Sequence, residues 1–202
     1  MPETPAKPRY QSEHTGSSIR FTIPSKKNWF VILFLGFWLC GWAVGEIAVL
    51  GTIGSEIIQI ISGQETTEEF IVSLAGSGFL FIWVTVWTVG GAYAIYTWLW
   101  NISGKEILEF SATTISITYK VGSFGRPKEY LLAHVKDLRS TPIPSEGLWG
   151  TSRRRNIWGR GPGSIAFDYG AKTINAGTSC DEAEAKMILS ELYTVYPHYK
   201  LN

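Results

Sequence analysis

The sequence predicts an α+β membrane protein: a transmembrane helix hairpin followed by a small antiparallel β domain capped by a C-terminal helix. Three observations predict it. Residues 28–45 and 70–100 contain no Asp, Glu, Lys or Arg, and at about 1.5 Å per residue roughly 20 residues cross a bilayer's hydrocarbon. From Lys105 onward apolar residues recur at every second position, the period of a half-buried strand. Between Ala183 and Val195 the period lengthens to that of a single helix, which stops before Pro197.

Residues 1–27 hold five Lys/Arg, two Glu and four prolines, and are expected to form a cytoplasmic tail. No early apolar core marks a cleavable signal, so the first span would itself direct insertion. Within the tail, Ile19-Arg20-Phe21-Thr22-Ile23-Pro24 alternates. It suits an edge strand on the cytoplasmic domain, a strip along a partner, or disorder.

The hairpin occupies residues 28–100, with spans at about 29–50 and 75–100 and an acidic turn near 63–69. Ser55 to Ile61 keeps an apolar, helix-compatible pattern, which carries the first helix beyond the lipid. Lys26, Lys27 and Lys105 flank the spans, whereas Glu46 to Glu69 holds five Glu and no base. The positive-inside rule therefore puts both termini in the cytoplasm and the turn outside. Trp29, Trp98 and Trp100 fit an aromatic belt on the cytoplasmic side.

Gly41-Trp42-Ala43-Val44-Gly45 matches the small-xxx-small pattern, and Gly76, Gly90 and Gly91 offer close approach on the second span. They serve packing within the hairpin or docking on another membrane protein. Trp38, Trp42, Trp83 and Trp87 lie inside the spans, more indoles than interfacial anchoring needs. Glu46 falls roughly 25 Å along the first helix, close to the far headgroups. Neither span contains His, Asp, Lys or Arg, which argues against a pump, a transporter, or a haem or chlorophyll subunit using intramembrane imidazole.

Residues 101–202 make one small domain. Ile107-Leu108-Glu109-Phe110 and Thr114 to Lys120 read as strands, with Ile115, Ile117 and Tyr119 on one face. Turn chemistry at Val121 to Pro127 precedes further strands at Glu129 to Leu132 and Val135 to Arg139. Ser164 to Tyr169 and Lys172 to Asn175 flank Gly170-Ala171 as a hairpin. Ser179-Cys180-Asp181-Glu182 matches a capping box, and Ala183, Met187, Ile188, Leu192 and Val195 mark the buried face of the helix. That helix would close a small curved sheet or barrel.

Gly104-Lys105-Glu106-Ile107, Thr114-Ile115-Ser116-Ile117, Arg126 to Leu132, Ile165 to Tyr169 and the final helix together resemble the pleckstrin-homology-like domains that bacteria attach to transmembrane hairpins. The layout over residues 28–200 is also similar to the photosystem I assembly factor family of chloroplasts and cyanobacteria. The resemblance implies a pleckstrin-homology-like β-barrel or sheet and a binding or scaffolding role in the bacterial inner membrane.

The sequence departs from that compact pattern at residues 142–163. There Arg153, Arg154, Arg155 and Arg160 accompany Trp149 and Trp158, guanidinium forks and indoles suited to an acidic partner surface or anionic lipid. Nucleic acid is excluded as a partner: the domain's bases exceed its acids by only three, and no stacking platform beyond two indoles accompanies the arginines. No nucleophile elbow, phosphate loop or metal-binding His pair is present; His14, His134 and His198 are scattered, and Cys40 and Cys180 lack metal-ligand spacing. Neither cofactor nor metal is expected. The function expected is a non-enzymatic accessory, assembly or structural subunit of a photosynthetic or respiratory membrane complex. The alternative is a membrane-anchored lipid-sensing or signalling adaptor, separable by vesicle flotation with and without the three consecutive arginines.

Overall fold

The computed structural model describes residues 8–62, 67–142 and 163–200; for residues 60, 67–75 and 77 it describes the backbone alone. The chain divides into two compact units, Met1–Lys27 with Leu99–Asn202, and Asn28–Trp98.

Alternating apolar residues build the first unit into two antiparallel sheets and a helix. One sheet has five strands in sequence order: β1 (Gln11–Thr15), β2 (Ser18–Pro24), β3 (Gly104–Ser111), β4 (Thr114–Val121) and β5 (Pro127–Leu131). The other holds β6 (Val135–Ser140), β7 (Ile165–Tyr169) and β8 (Lys172–Ala176). The expected barrel is not closed. A helical turn at Leu132–His134 interrupts the chain between β5 and β6, so pairing stops there and each sheet keeps its own edges.

Residues 11–24 are not a separate tail. β2 is an interior strand, with β1 on one side and β3 on the other. Ile19 lies opposite Phe110 and Phe21 opposite Leu108, and the side chains of Ile19, Phe21 and Ile23 are sealed in the core. Phe21 meets Phe110 edge to face at 6.0 Å and Tyr10 at 5.8 Å. Each such buried side chain contributes about 1.5–3 kcal/mol, enough to hold the segment in place. In chain order the helix pair falls between β2 and β3, which are hydrogen-bonded neighbours.

Helix α3 (Glu182–Val195) buries Ala185, Ile188, Leu189 and Leu192 against the same core. The buried face is rotated from the predicted one: Ala183 and Val195 are exposed. The capping box likewise lies two residues later than predicted. The Asp181 carboxylate accepts the Glu184 amide at 2.8 Å, and the Glu184 carboxylate accepts the Asp181 amide at 3.1 Å. Arg9 explains both differences. Its guanidinium donates to Glu184 at 2.6 and 3.0 Å and to the Ser179 carbonyl at 2.9 Å, which allows a charged residue at an inward position. Burial works to raise the Glu184 carboxyl, but Arg9 and the Asp181 amide together hold it below the usual range.

The second unit is made by α1 (Trp29–Ile61, 33 residues) and most of α2 (Thr67–Ser103, 37 residues), about 50 and 55 Å long. Trp29–Gln59 and Gly78–Ser103 are long and apolar enough to cross a membrane. Both helices are longer than a bilayer's hydrocarbon is thick, α1 as its apolar pattern through Ile61 predicts.

Candidate functional site

Within the hairpin the helices meet through indoles rather than through paired glycines. A Cβ on Gly91 would lie 2.1 Å from the Trp42 ring, so the missing side chain makes room for that indole. Trp42 Nε1 then donates to the Trp87 carbonyl at 3.3 Å, and Trp98 Nε1 donates to the Ile32 carbonyl at 2.9 Å over Gly36. Phe79, Trp83, Trp87 and Trp38 follow one another as a ladder with ring centroids 6.4, 5.8 and 6.1 Å apart. The Thr88 hydroxyl donates to Glu46 Oε1, giving this carboxyl a partner on the opposite helix.

Gly41, Gly45, Gly76 and Gly90 make no such contact; a Cβ on any of them meets nothing within 4 Å. Of the five predicted packing glycines only Gly91 therefore receives a side chain from the other helix, while Gly36, which was not predicted, receives Trp98. A substitution pair separates the two classes. Gly91→Ala is expected to displace Trp42 and destabilise the detergent-solubilised hairpin by about 1–3 kcal/mol. Gly41→Ala is expected to be neutral or to stabilise by up to about 1 kcal/mol through helix propensity. Thermal unfolding followed by helical dichroism reads both.

In the sheet unit, polar groups concentrate where β2 ends and β3 begins. Ser25 donates its amide to the Gly104 carbonyl at 2.9 Å and its hydroxyl to the Trp100 carbonyl at 2.8 Å. Trp100 is buried and packs on Tyr119 with centroids 6.0 Å apart. Gly104 is required there, since a Cβ would lie 2.4 Å from the Trp100 carbonyl oxygen. The last turn of α2 thus passes straight into β3.

Two residues on, Glu106 is 0% exposed. Its carboxylate accepts the Gly177 amide at 2.9 Å, the Thr178 amide at 2.7 Å and the Thr178 hydroxyl at 2.9 Å. It ties β3 of the larger sheet to the turn between β8 and α3. Burial pushes this carboxyl above the ordinary range, against the pull of those donors and of Tyr119.

Elsewhere on this unit the candidate groups are committed to local structure. Asp168 accepts the Thr173 hydroxyl at 2.7 Å and the Arg139 guanidinium at 3.2 Å; both hold it below the usual carboxylate range. Asp137 takes a positive φ of 50° at the bulge in β6, a conformation Asp tolerates better than most residues. His134 ends the helical turn before β6 and meets Tyr169 edge to face at 5.9 Å. Burial pushes the Cys180 thiol to about 12, which keeps it neutral and unreactive.

Arg153, Arg154, Arg155, Arg160, Trp149 and Trp158 lie outside the described residues, as does the acidic turn near residue 65. The described residues on either side of that arginine-bearing segment pair: the Thr141 amide donates to the Ser164 carbonyl at 2.8 Å, extending the β6–β7 pair. Among the described residues no group of three or more His, Cys, Asp or Glu could hold a metal ion. Comparison with protein-family models, with curated proteins and with solved structures finds no match for this chain.

Proposed function

We propose that this chain is a membrane-anchored accessory, assembly or structural subunit of a bacterial inner-membrane complex, without chemistry of its own. The α1–α2 hairpin crosses the bilayer, and the sheet unit with both chain termini lies on the cytoplasmic side. The observation that carries this reading is the exposure of the helices. Phe30, Leu33, Phe37 and Ile47 on α1, and Phe81, Ile82, Val86 and Val89 on α2, are all exposed. The core helix of a water-soluble protein buries such residues; here lipid and a partner's helices cover them.

Strand pairing supports a two-fold crossing independently of charge. Because β2 is hydrogen-bonded to β3, residues 18–24 and 104–111 must share one side of any membrane that residues 28–100 enter. The distribution of Lys26, Lys27 and Lys105 against the glutamates of residues 46–69 supports the cytoplasm as that side. The commitment of Glu106, Glu184 and Asp168 to structural hydrogen bonds supports a binding role over a catalytic one.

Purification from native membranes in a gentle detergent tests the proposal. The chain is expected to elute within a larger assembly whose other subunits, once identified, assign it to photosynthesis, respiration or another process. Recovery as a monodisperse monomer would contradict it.

A further inference from the structure

The chain leaves the five-stranded sheet at Pro24 and re-enters it at Gly104, at the same end of neighbouring strands. At that end the topology gathers five cations from four strands. Lys26 and Lys27 follow β2, Lys105 opens β3, Lys120 stands near the end of β4, and Arg126 precedes β5. None forms an ion pair with a described residue. The nearby acids do not neutralise them: Glu106 is buried beneath the Gly177–Thr178 turn, and Glu129 stands alone on β5.

Lys105 and Lys120 are direct cross-strand partners. Like charges placed directly opposite destabilise a strand pair, and such a local conflict marks a functional position more often than a packing one. The turn joining β4 to β5 has the two-residue form Gly122-Ser123, closed by paired backbone hydrogen bonds between Val121 and Phe124 at 2.8 and 3.0 Å, with Gly122 at φ 57°. It presents Phe124 at 85% exposure between Lys120 and Arg126. A single exposed phenylalanine is ordinary on a soluble surface. Its coincidence with five cations, at the end from which the chain enters two apolar helices, is not.

We infer that this end of the sheet is a lipid-surface contact, with Phe124 seated among the headgroups and the lysines and arginine holding anionic lipid. The inference rests on the reading that α1 and α2 cross the bilayer. Chain length carries it further. Only Asn28 separates Lys27 from Trp29, where α1 begins, and the two Cα-to-Cα steps span at most about 7 Å. Four strands at about 4.8 Å spacing extend the rim roughly 14 Å sideways from β2 to β5. Lys26, Lys27 and Lys105, on its β2–β3 side and next to the helix ends, stay within reach of the field of an anionic leaflet, which decays over about 10 Å.

The test uses the full-length protein reconstituted into phosphatidylcholine vesicles with or without phosphatidylglycerol, in a Cys40→Ala, Cys180→Ala background. Phe124→Cys or, at the opposite end of the sheet, Thr113→Cys carries an environment-sensitive fluorophore. The label at 124 is expected to be quenched by lipids bearing a nitroxide near the headgroup, several-fold more with phosphatidylglycerol, and the label at 113 to be unaffected. Reversing Lys120 and Arg126 to Glu is expected to lower the docked population by roughly fivefold per cation. No quenching at 124 in protein that resists a carbonate wash would overturn the contact and leave the spanning hairpin intact. Quenching indifferent to phosphatidylglycerol, or to charge reversal, would overturn the assignment to anionic headgroups. Release of the protein by carbonate would overturn the spanning hairpin and the contact with it.

Discussion

Phe21→Ala is expected to lower the unfolding free energy of the sheet unit by about 3–5 kcal/mol, a large part of the roughly 5–15 kcal/mol that stabilises a typical domain. Phe21 is 0% exposed, lies opposite Leu108 on β3 and packs against Phe110 and Tyr10. Its ring cannot be replaced by water without leaving a cavity in the centre of the five-stranded sheet. Phe124→Ala is the matched control, expected to stay within about 0.5 kcal/mol because its ring touches solvent. Urea titration of the detergent-solubilised protein, followed by near-ultraviolet dichroism, measures both. Equal, small effects would mean that residues 11–24 are a tail after all.

Glu106→Ala is expected to cost about 2–4 kcal/mol, from two amides and a hydroxyl that lose their acceptor at about 1–3 kcal/mol for a fully buried group. The comparison that decides its meaning is Glu109→Ala, three positions along the same strand. Glu109 pairs with Arg20 at 3.0 Å, but both side chains are about a third exposed, and surface pairs of this kind contribute roughly 0.2–1 kcal/mol. The two glutamates stand on opposite faces of β3 and differ in burial and in partners. Faster hydrogen exchange at the Gly177 and Thr178 amides in Glu106→Ala, with Glu109→Ala unchanged, would place the loss at the β8–α3 turn.

Much of the fold was legible because it rests on local periodicity. The strands around Leu108 and Ile117 carry a two-residue alternation that the structure follows to within a residue or two. The same alternation at Ile19, Phe21 and Ile23 was visible, but its partner was not: β3 lies beyond the whole hairpin, and no local rule links strands across such a separation. A signal for Glu106 was also present. It shares parity with Leu108 and Phe110, and an acid on the inward face of a strand calls for buried donors.

Other features depend on tertiary contacts that composition does not encode. The face of α3 turns on the salt bridge from Arg9 to Glu184, made across nearly the full length of the chain. Small-residue spacing pointed to Gly41 and Gly45, yet the helices approach where Trp42 needs the space over Gly91. The basic rim depends on register, since only the pairing of Lys105 with Lys120 turns scattered lysines into one cluster.

On the proposed reading, two strands N-terminal to the hairpin and the domain C-terminal to it form one body on one side of a membrane crossed twice. Labelling single cysteines with an impermeant maleimide tests this most directly, with Ser17→Cys, Gln64→Cys and Thr113→Cys each placed in a Cys40→Ala, Cys180→Ala background in intact cells. Reaction at position 64 alone before permeabilisation, with 17 and 113 protected together, is the predicted result. Labelling that places 17 and 113 on opposite sides, or that treats all three positions alike, would contradict it.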